Sequence, residues 1–165
     1  MTQTPAAPFT LYNPQSLYDP APNAYSHLAV VAPGAEWLFI AGQGGEDAQG
    51  QLSPVFADQA AQAIANVRTA LQSRGADLHH LFKLTLLMVD HSEERLRAWV
   101  EQADLAWAGN MKPVCTLIPV PRLALDGMLI EIEAVAALMP RHRLVFSGTG
   151  FSREEASVGT INSGS

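Results

Sequence analysis

Between Lys112 and Glu133 the sequence reads KPVCTLIPVPRLALDGMLIEIE, and this stretch narrows the possible folds more than any other. Val114 to Val120 is apolar and partly β-branched, but it contains Pro119 and is followed by Pro121. A proline brings no N–H to a ladder, so the segment reads as a strand with one side free that ends at a rim. Asp126-Gly127 is a turn signal. Beyond it, Met128, Ile130, Ile132 and Ala134 alternate with Leu129, Glu131, Glu133 and Val135. A period of two over this length predicts a second strand. The two strands read as a paired unit carrying one thiol, Cys115, one guanidinium, Arg122, and two carboxylates on one strand face. No other stretch of the chain is as rich in groups that can do chemistry.

The remaining segments read as support for this unit. Met1 to Asn23 holds five prolines, with Phe9, Leu11, Tyr12, Leu17 and Tyr18 among polar residues, and shows no period. Its aromatic content predicts an arm lying on the body or on a neighbour rather than a free leader. Ala24 to Val31 and Trp37 to Ala41 read as strands of a hairpin about the turn Pro33-Gly34-Ala35. Gly42-Gln43-Gly44-Gly45 then allows close backbone approach, as a pocket wall would need; a plain loop is the alternative. Ser53-Pro54 predicts a helix start, with Ala60, Ile64, Val67 and Leu71 at helical spacing up to Arg74 and Gly75 closing it in the left-handed conformation. Leu78 to Val89 is apolar nearly throughout, as a strand buried on both faces is. Asp90 or Ser92 caps a second helix, with Leu96, Trp99, Val100, Ala103 and Trp107 inward and Glu93, Glu94, Arg95, Arg97 and Glu101 toward water, ending at Gly109-Asn110.

This order of elements predicts an α+β two-layer sandwich, one mixed β-sheet with two helices on one face. The other face carries too many apolar residues to meet water, which predicts self-association. After Leu138 the sequence turns polar around a short apolar run, Leu144-Val145-Phe146, read as one possible extra strand before a Ser/Gly/Thr-rich tail. The expected division is an N-terminal extension over 1–23, one domain over 24–138 and a C-terminal extension over 139–165. At 165 residues and 48% hydrophobic, the chain has the size and composition of one domain with a full core.

Several function classes are excluded or disfavoured. A net charge of −6 without a basic cluster offers no footprint for nucleic acid. The lone cysteine cannot form an internal disulfide and favours a reducing compartment. No apolar run approaches the ~20 residues of a membrane span, and the N-terminus lacks the basic flank and apolar core of a signal peptide. The expectation is a soluble, cytoplasmic protein. His79-His80 in a strand would point to opposite faces, so no metal site is expected there.

Several segments together resemble one family. Ala24-Tyr25-Ser26, Ala41-Gly42-Gln43, the helix from Gln59 to Val67, Lys83-Leu84-Thr85 with Val89-Asp90, and Ile130-Glu131-Ile132-Glu133-Ala134 are similar to the RidA (YjgF/YER057c/UK114) family of reactive-intermediate deaminases. The resemblance runs from about Ala24 to Leu138. It implies a chorismate-mutase-like α+β fold, a homotrimer whose sheets close an inner barrel, and pockets at the subunit interfaces. It also implies a reaction in which water adds to an enamine or imine, releasing ammonia and a carbonyl compound, with no cofactor and no metal.

Site residues follow from the resemblance position by position. Pro113 and Arg122-Leu123 match the family's proline and its later arginine-leucine pair without a gap. The family's carboxylate-gripping arginine then falls at Cys115. Glu131 matches the glutamate that handles water, with the turn before it one residue longer, and Tyr25 matches a pocket tyrosine. The expected site therefore comprises Glu131 and Cys115 as catalytic candidates, with Tyr25, Gly42, Gln43, Thr116, Leu117 and Arg122 as substrate-binding candidates. A guanidinium is a planar, permanently charged fork, whereas a thiol is one weak donor. Losing a charge-assisted hydrogen bond of ~1.5–3 kcal/mol weakens carboxylate capture roughly ten- to a hundredfold. The expectation is therefore an enamine or imine deaminase, a hydrolase, with an altered substrate pocket. Two alternatives stand beside it: a non-deaminating trimer that binds small molecules or regulates, and a pocket in which Cys115 does covalent or redox chemistry. An ordinary buried cysteine and a solvated Glu131 are the structural readings of the same two residues.

Overall fold

The computed structural model describes residues 7–140. The strands are β1 Phe9–Tyr12, β2 Leu28–Val31, β3 Glu36–Gly44, β4 Leu81–Val89, β5 Val114–Val120 and β6 Ile130–Leu138; the helices are α1 Phe56–Gln72 and α2 Glu93–Trp107. β3, β6, β4 and β5 form a four-stranded mixed sheet in that order, and β1 and β2 form a separate two-stranded ribbon. This matches the α+β class read from the sequence.

The core lies between one sheet face and the two helices. Leu84, Leu86 and Met88 of β4 and Ile130, Ile132, Ala134 and Ala136 of β6 meet Ala60, Ala63, Val67 and Leu71 of α1 and Trp99 and Ala103 of α2, all buried. The helical spacing that puts those residues on one stripe thus has its covering sheet. The opposite face carries no helix. There Phe39 is 74% exposed and Trp37 49%, while Lys83, Thr85 and Leu87 are only half-covered. β4 is therefore buried on one face and not on both.

Two strand pairings differ from the sequence reading. β5 and β6 are not neighbours: β5 runs parallel to β4, and β6 runs antiparallel to β4 on its other side. The cause is the connection. β4 and β5 are joined through α2, and a helical crossover returns the chain parallel to the strand it left. The edge position of β5 agrees with its prolines. Likewise β2 does not pair with β3; it pairs with β1, Phe9 opposite Val31 and Tyr12 opposite Leu28. Ser26 is the reason. Its N–H donates to the Pro113 carbonyl at 3.1 Å and its hydroxyl to the Lys112 carbonyl at 2.6 Å. These bonds pin the start of the segment to the β5 edge, across the sheet from β3. The N-terminal arm lies on the body as expected, with the Phe9 ring 5.9 Å from Phe82 and Phe82 5.4 Å from Trp37.

Smaller corrections concern boundaries. α1 begins at Phe56 rather than Pro54. Ser53 instead accepts from Val55 N–H at 3.1 Å and donates to Asp58 at 2.8 Å, closing the turn before the helix. Ser92 caps α2, accepting from Arg95 N–H at 3.2 Å. Arg95 is half-buried with its guanidinium 5.5 Å from the Phe56 ring centre, not out in water. His79 and His80 sit in a one-turn 3-10 helix, Leu78–His80, before β4 rather than in the strand. Among the described residues no helix is long and apolar enough to cross a membrane. The strand read at Leu144-Val145-Phe146 lies outside the described residues.

Candidate functional site

The free edge of β5 supplies one wall of a cavity of about 420 Å³. The Pro113 carbonyl points out of the sheet to meet Ser26. Strand alternation then sends the N–H groups of Cys115 and Leu117 out on the same side. Cys115, Thr116 and Leu117 line the cavity with Tyr25, which the preceding chain brings alongside. Trp99 and Leu96 of α2 and Leu86 of β4 form its apolar floor, and Tyr18, Asn23 and His91 complete the rim. Four of the eight expected site residues thus meet in one place, although Tyr25 and Cys115 are far apart in sequence.

The electrostatics of this cavity are those of a neutral pocket. Cys115 pairs in register with Leu84 and so faces the helix side, packed against the core. Burial pushes its thiol up to about 12, only partly offset by the charge of Lys83. At neutral pH it is a protonated, weakly polar wall rather than a thiolate. The ammonium of Lys112 is engaged in an ion pair with Asp104. The Tyr25 hydroxyl, hydrogen-bonded to that of Tyr18, is pushed up to about 12, first by burial and then by Tyr18.

Glu131, Gly42 and Gln43 form a second cluster elsewhere. β3 and β6 shift register between Ile40 and Gln43, and this bulge lays Gly42 directly under the Glu131 side chain. A methyl group at position 42 would stand 1.9 Å from Glu131 Oε1. The absent side chain is therefore what lets the carboxylate lie flat on the strand. The Gln43 amide donates to the carbonyls of Ala41 and Gly42, both at 3.1 Å, and holds the bulge. Glu131 is in register with Leu87 and so lies on the open face, opposite to Cys115. Two strands across and three residues along from Cys115, it stands roughly 14 Å away by strand geometry. Within one chain the thiol and the acid do not share a cavity. Arg122 joins neither cluster: exposed beyond β5, it pairs with Asp126 at 3.1 Å.

Tyr18, Asn23, His91, Leu96 and Trp99 line the cavity without having been singled out as site residues. Leu96 and Trp99 carried a correct signal as the inner face of α2; the end of that face reaches past the sheet edge. Tyr18 carried none, because its segment has no period and its place is set by contacts with Tyr25 and His27 that follow no helical or strand spacing. Among the described residues no group of three or more His, Cys, Asp or Glu is arranged to hold a metal ion.

A family model described as endoribonuclease L-PSP matches residues 18–138. A RutC family protein of Pyrococcus horikoshii is 30% identical over 122 residues, 70% of this chain and 90% of that protein. Among solved structures, the Rid-family protein YyfB of Yersinia pestis superposes with a TM-score of 0.75 at 32% identity, covering 79% of this chain and 99% of that one. A Mycobacterium tuberculosis member of the YjgF/YER057c/UK114 family has a TM-score of 0.53 at 23% identity, covering 79% and 99%. Escherichia coli TdcF with bound serine has a TM-score of 0.56 at 20% identity, covering 70% and 94%. These last two share the fold.

Proposed function

Because this chain belongs to the RidA/YjgF family, described as endoribonuclease L-PSP, we propose that it hydrolyses a reactive enamine or imine to a carbonyl compound and ammonia. The observation that carries the reading is the convergence of Tyr25 with Cys115, Thr116 and Leu117 on one cavity at a free strand edge. The substrate sits there with its imine nitrogen end toward the outward N–H of Leu117, since the bridge between Ser26 and Val114 takes up the N–H of Cys115. Glu131 takes a proton from water as the water oxygen bonds to the imine carbon and passes it to the nitrogen; it then moves the proton of the new hydroxyl to the nitrogen as the C=O forms, the C–N bond breaks and ammonia leaves. Since Glu131 and Cys115 of one chain lie on opposite sheet faces, the acid comes from a second copy whose open face abuts the β5 edge. That arrangement agrees with the interface pockets that the resemblance implies and with the uncovered apolar face.

The thiol at position 115 sets this pocket apart from one built to hold a carboxylate. The TdcF structure holds serine, a guest whose carboxylate calls for a charged donor. Cys115 offers none, and its thiol, pushed up to about 12, does not favour covalent or redox chemistry. The family's name refers to RNA cleavage. The net charge of −6 and a cavity wall without lysine or arginine do not support an RNA substrate. A non-deaminating binding protein is the second reading, favoured by the separation of Glu131 from Cys115 within a chain.

The test is competition with semicarbazide for imines generated in situ by amino-acid and amine oxidases. Hydrolysis appears as lost semicarbazone, and Glu131→Gln should abolish it under the first reading. No hydrolysis of any imine by the wild-type chain would favour the second. Cys115→Arg should raise activity toward 2-iminopropionate roughly ten- to a hundredfold, the worth of one charge-assisted hydrogen bond.

A further inference from the structure

We propose that the cavity beside Cys115 takes an uncharged ligand, an aryl or branched alkyl body bearing one neutral hydrogen-bond acceptor, and that Tyr18 selects it by holding the Tyr25 hydroxyl in place. The assignment deepens the reading of this cavity as the substrate-binding half of the site, and rests on it. Three observations carry it.

The first is the composition of the wall. Among its ten residues there is no lysine, arginine, aspartate or glutamate. A carboxylate entering it would leave water without a permanently charged counter-ion, His91 at the rim being a neutral imidazole in alkaline buffer, and a pocket with an apolar floor penalises that. An amide or an uncharged imine loses far less.

The second is shape and surface. Trp99, only 1% exposed, Leu86 and Leu117 form an apolar floor, and the rings of Tyr18 and Tyr25 line the cavity beside it, 6.3 Å apart and inclined at 66°. A volume of about 420 Å³ is within the range of small-molecule sites and accommodates an aromatic ring with a short polar arm.

The third is the hydroxyl pair itself. The two phenols are hydrogen-bonded to each other, so one of their two protons is spent between them and the other is free to donate. A pair of phenols thus offers a single neutral donor and no charge. Tyr18 is held for this task from two sides. His27 Nε2 is 2.9 Å from its backbone carbonyl, and the His27 ring packs edge-on against the Tyr18 ring at 5.4 Å. The Asn13 side chain accepts from His27 N–H at 3.0 Å, closing the strap. Tyr18 is the first residue of the family match, so the segment before β2 builds part of the pocket. Tyr18 is a specificity-determining residue that acts partly through Tyr25.

Calorimetric titration of the full chain with phenylacetamide and phenylacetate, two probes of one shape that differ in charge, tests this at pH 8. Phenylacetamide should bind at least tenfold more tightly. Tyr18→Phe keeps the ring and removes the hydroxyl; by freeing the Tyr25 hydroxyl from the one neutral hydrogen bond that fixes it, it should weaken phenylacetamide about two- to tenfold and leave phenylacetate unchanged. Cys115→Arg should reverse the preference. Equal or tighter binding of phenylacetate to the wild-type chain, no detectable phenylacetamide binding, or a Tyr18→Phe variant indistinguishable from wild type overturns the proposal. Phenylacetamide binding that depends on Tyr18, in a chain that hydrolyses neither the phenylethylamine imine nor the phenylalanine imine, upholds the ligand assignment and removes the deaminase reading alone.

Discussion

Cys115 and Gly42 show how much one side chain decides. Burial raises the Cys115 thiol from 9.0 to about 12, so at pH 8 its thiolate fraction is about a thousandfold below that of an ordinary thiol. Iodoacetamide should therefore label the folded chain about a thousand times more slowly than the urea-unfolded chain. Rapid labelling of the folded chain would show an ionised, reactive thiol. The same shift fixes a pH dependence. A thiol harder to ionise when folded contributes its full stability below pH 9, and that contribution is lost as pH rises toward about 12. Tyr25, raised from 10.0 to about 12, acts with the same sign. Urea midpoints should fall over this alkaline range, less steeply in Cys115→Ala. At position 42, the three atoms an alanine methyl would meet first all belong to the Glu131 side chain, Oε1 at 1.9 Å, Cδ at 2.5 Å and Cγ at 2.9 Å. Gly42→Ala should cost under about 1 kcal/mol of stability, since a flexible carboxylate can swing aside. It should lose imine hydrolysis as completely as Glu131→Gln. Full activity in Gly42→Ala would mean that Glu131 does not work from where it lies.

At the scale of elements, one buried polar residue of α1 ties the helix to the connection between β5 and β6. Gln59 is fully buried; its amide donates to the carbonyls of Ser53 at 2.7 Å and Gly127 at 2.8 Å, and accepts from Leu129 N–H at 2.8 Å. Leu129 stands two residues before Glu131, so the helix sets where the acid-bearing strand begins. Gln59→Leu keeps an apolar body and orphans those backbone groups. It should lower the unfolding free energy by about 2–4 kcal/mol in urea titrations. A loss below about 1 kcal/mol would show that water or a relaxed loop replaces the amide. The hydrophobic period of α1 and α2 revealed their buried stripes in advance, whereas Gln59 looked like one polar residue among several. Its three backbone partners come from the loop before the helix and from the far end of the domain, and no local pattern announces such a meeting.

At the scale of the molecule, the open sheet face and the proposed division of the site between two copies make the same demand. Phe39, 74% exposed, and Trp37 stand on a face that no helix covers. A patch of this kind is costly in water unless another copy covers it. Light scattering should give a mass about three times the 17.7 kDa of one chain. Phe39→Glu should reduce it to that of a monomer and abolish imine hydrolysis, because the acid would no longer reach the cavity. A monomeric wild-type chain that hydrolyses imines would dismiss the shared site.

Strand and helix character, the edge nature of β5, the apolar face of α2 and the alternation that sends Glu131 and Glu133 to one side of β6 were all legible in the sequence. Each depends on the spacing of neighbouring residues along a chain of known periodicity. Partnership was not legible. Nothing in the alternation of Ala24 to Val31 says that Ser26 will bond to Lys112 and Pro113, that β2 will therefore turn to β1, or that β4 will stand between Cys115 and Glu131. Only the tertiary structure decided which groups share a cavity. Periodicity tells each side chain which way to face, but the hydrogen bonds and crossovers that choose its neighbours join residues far apart in the chain.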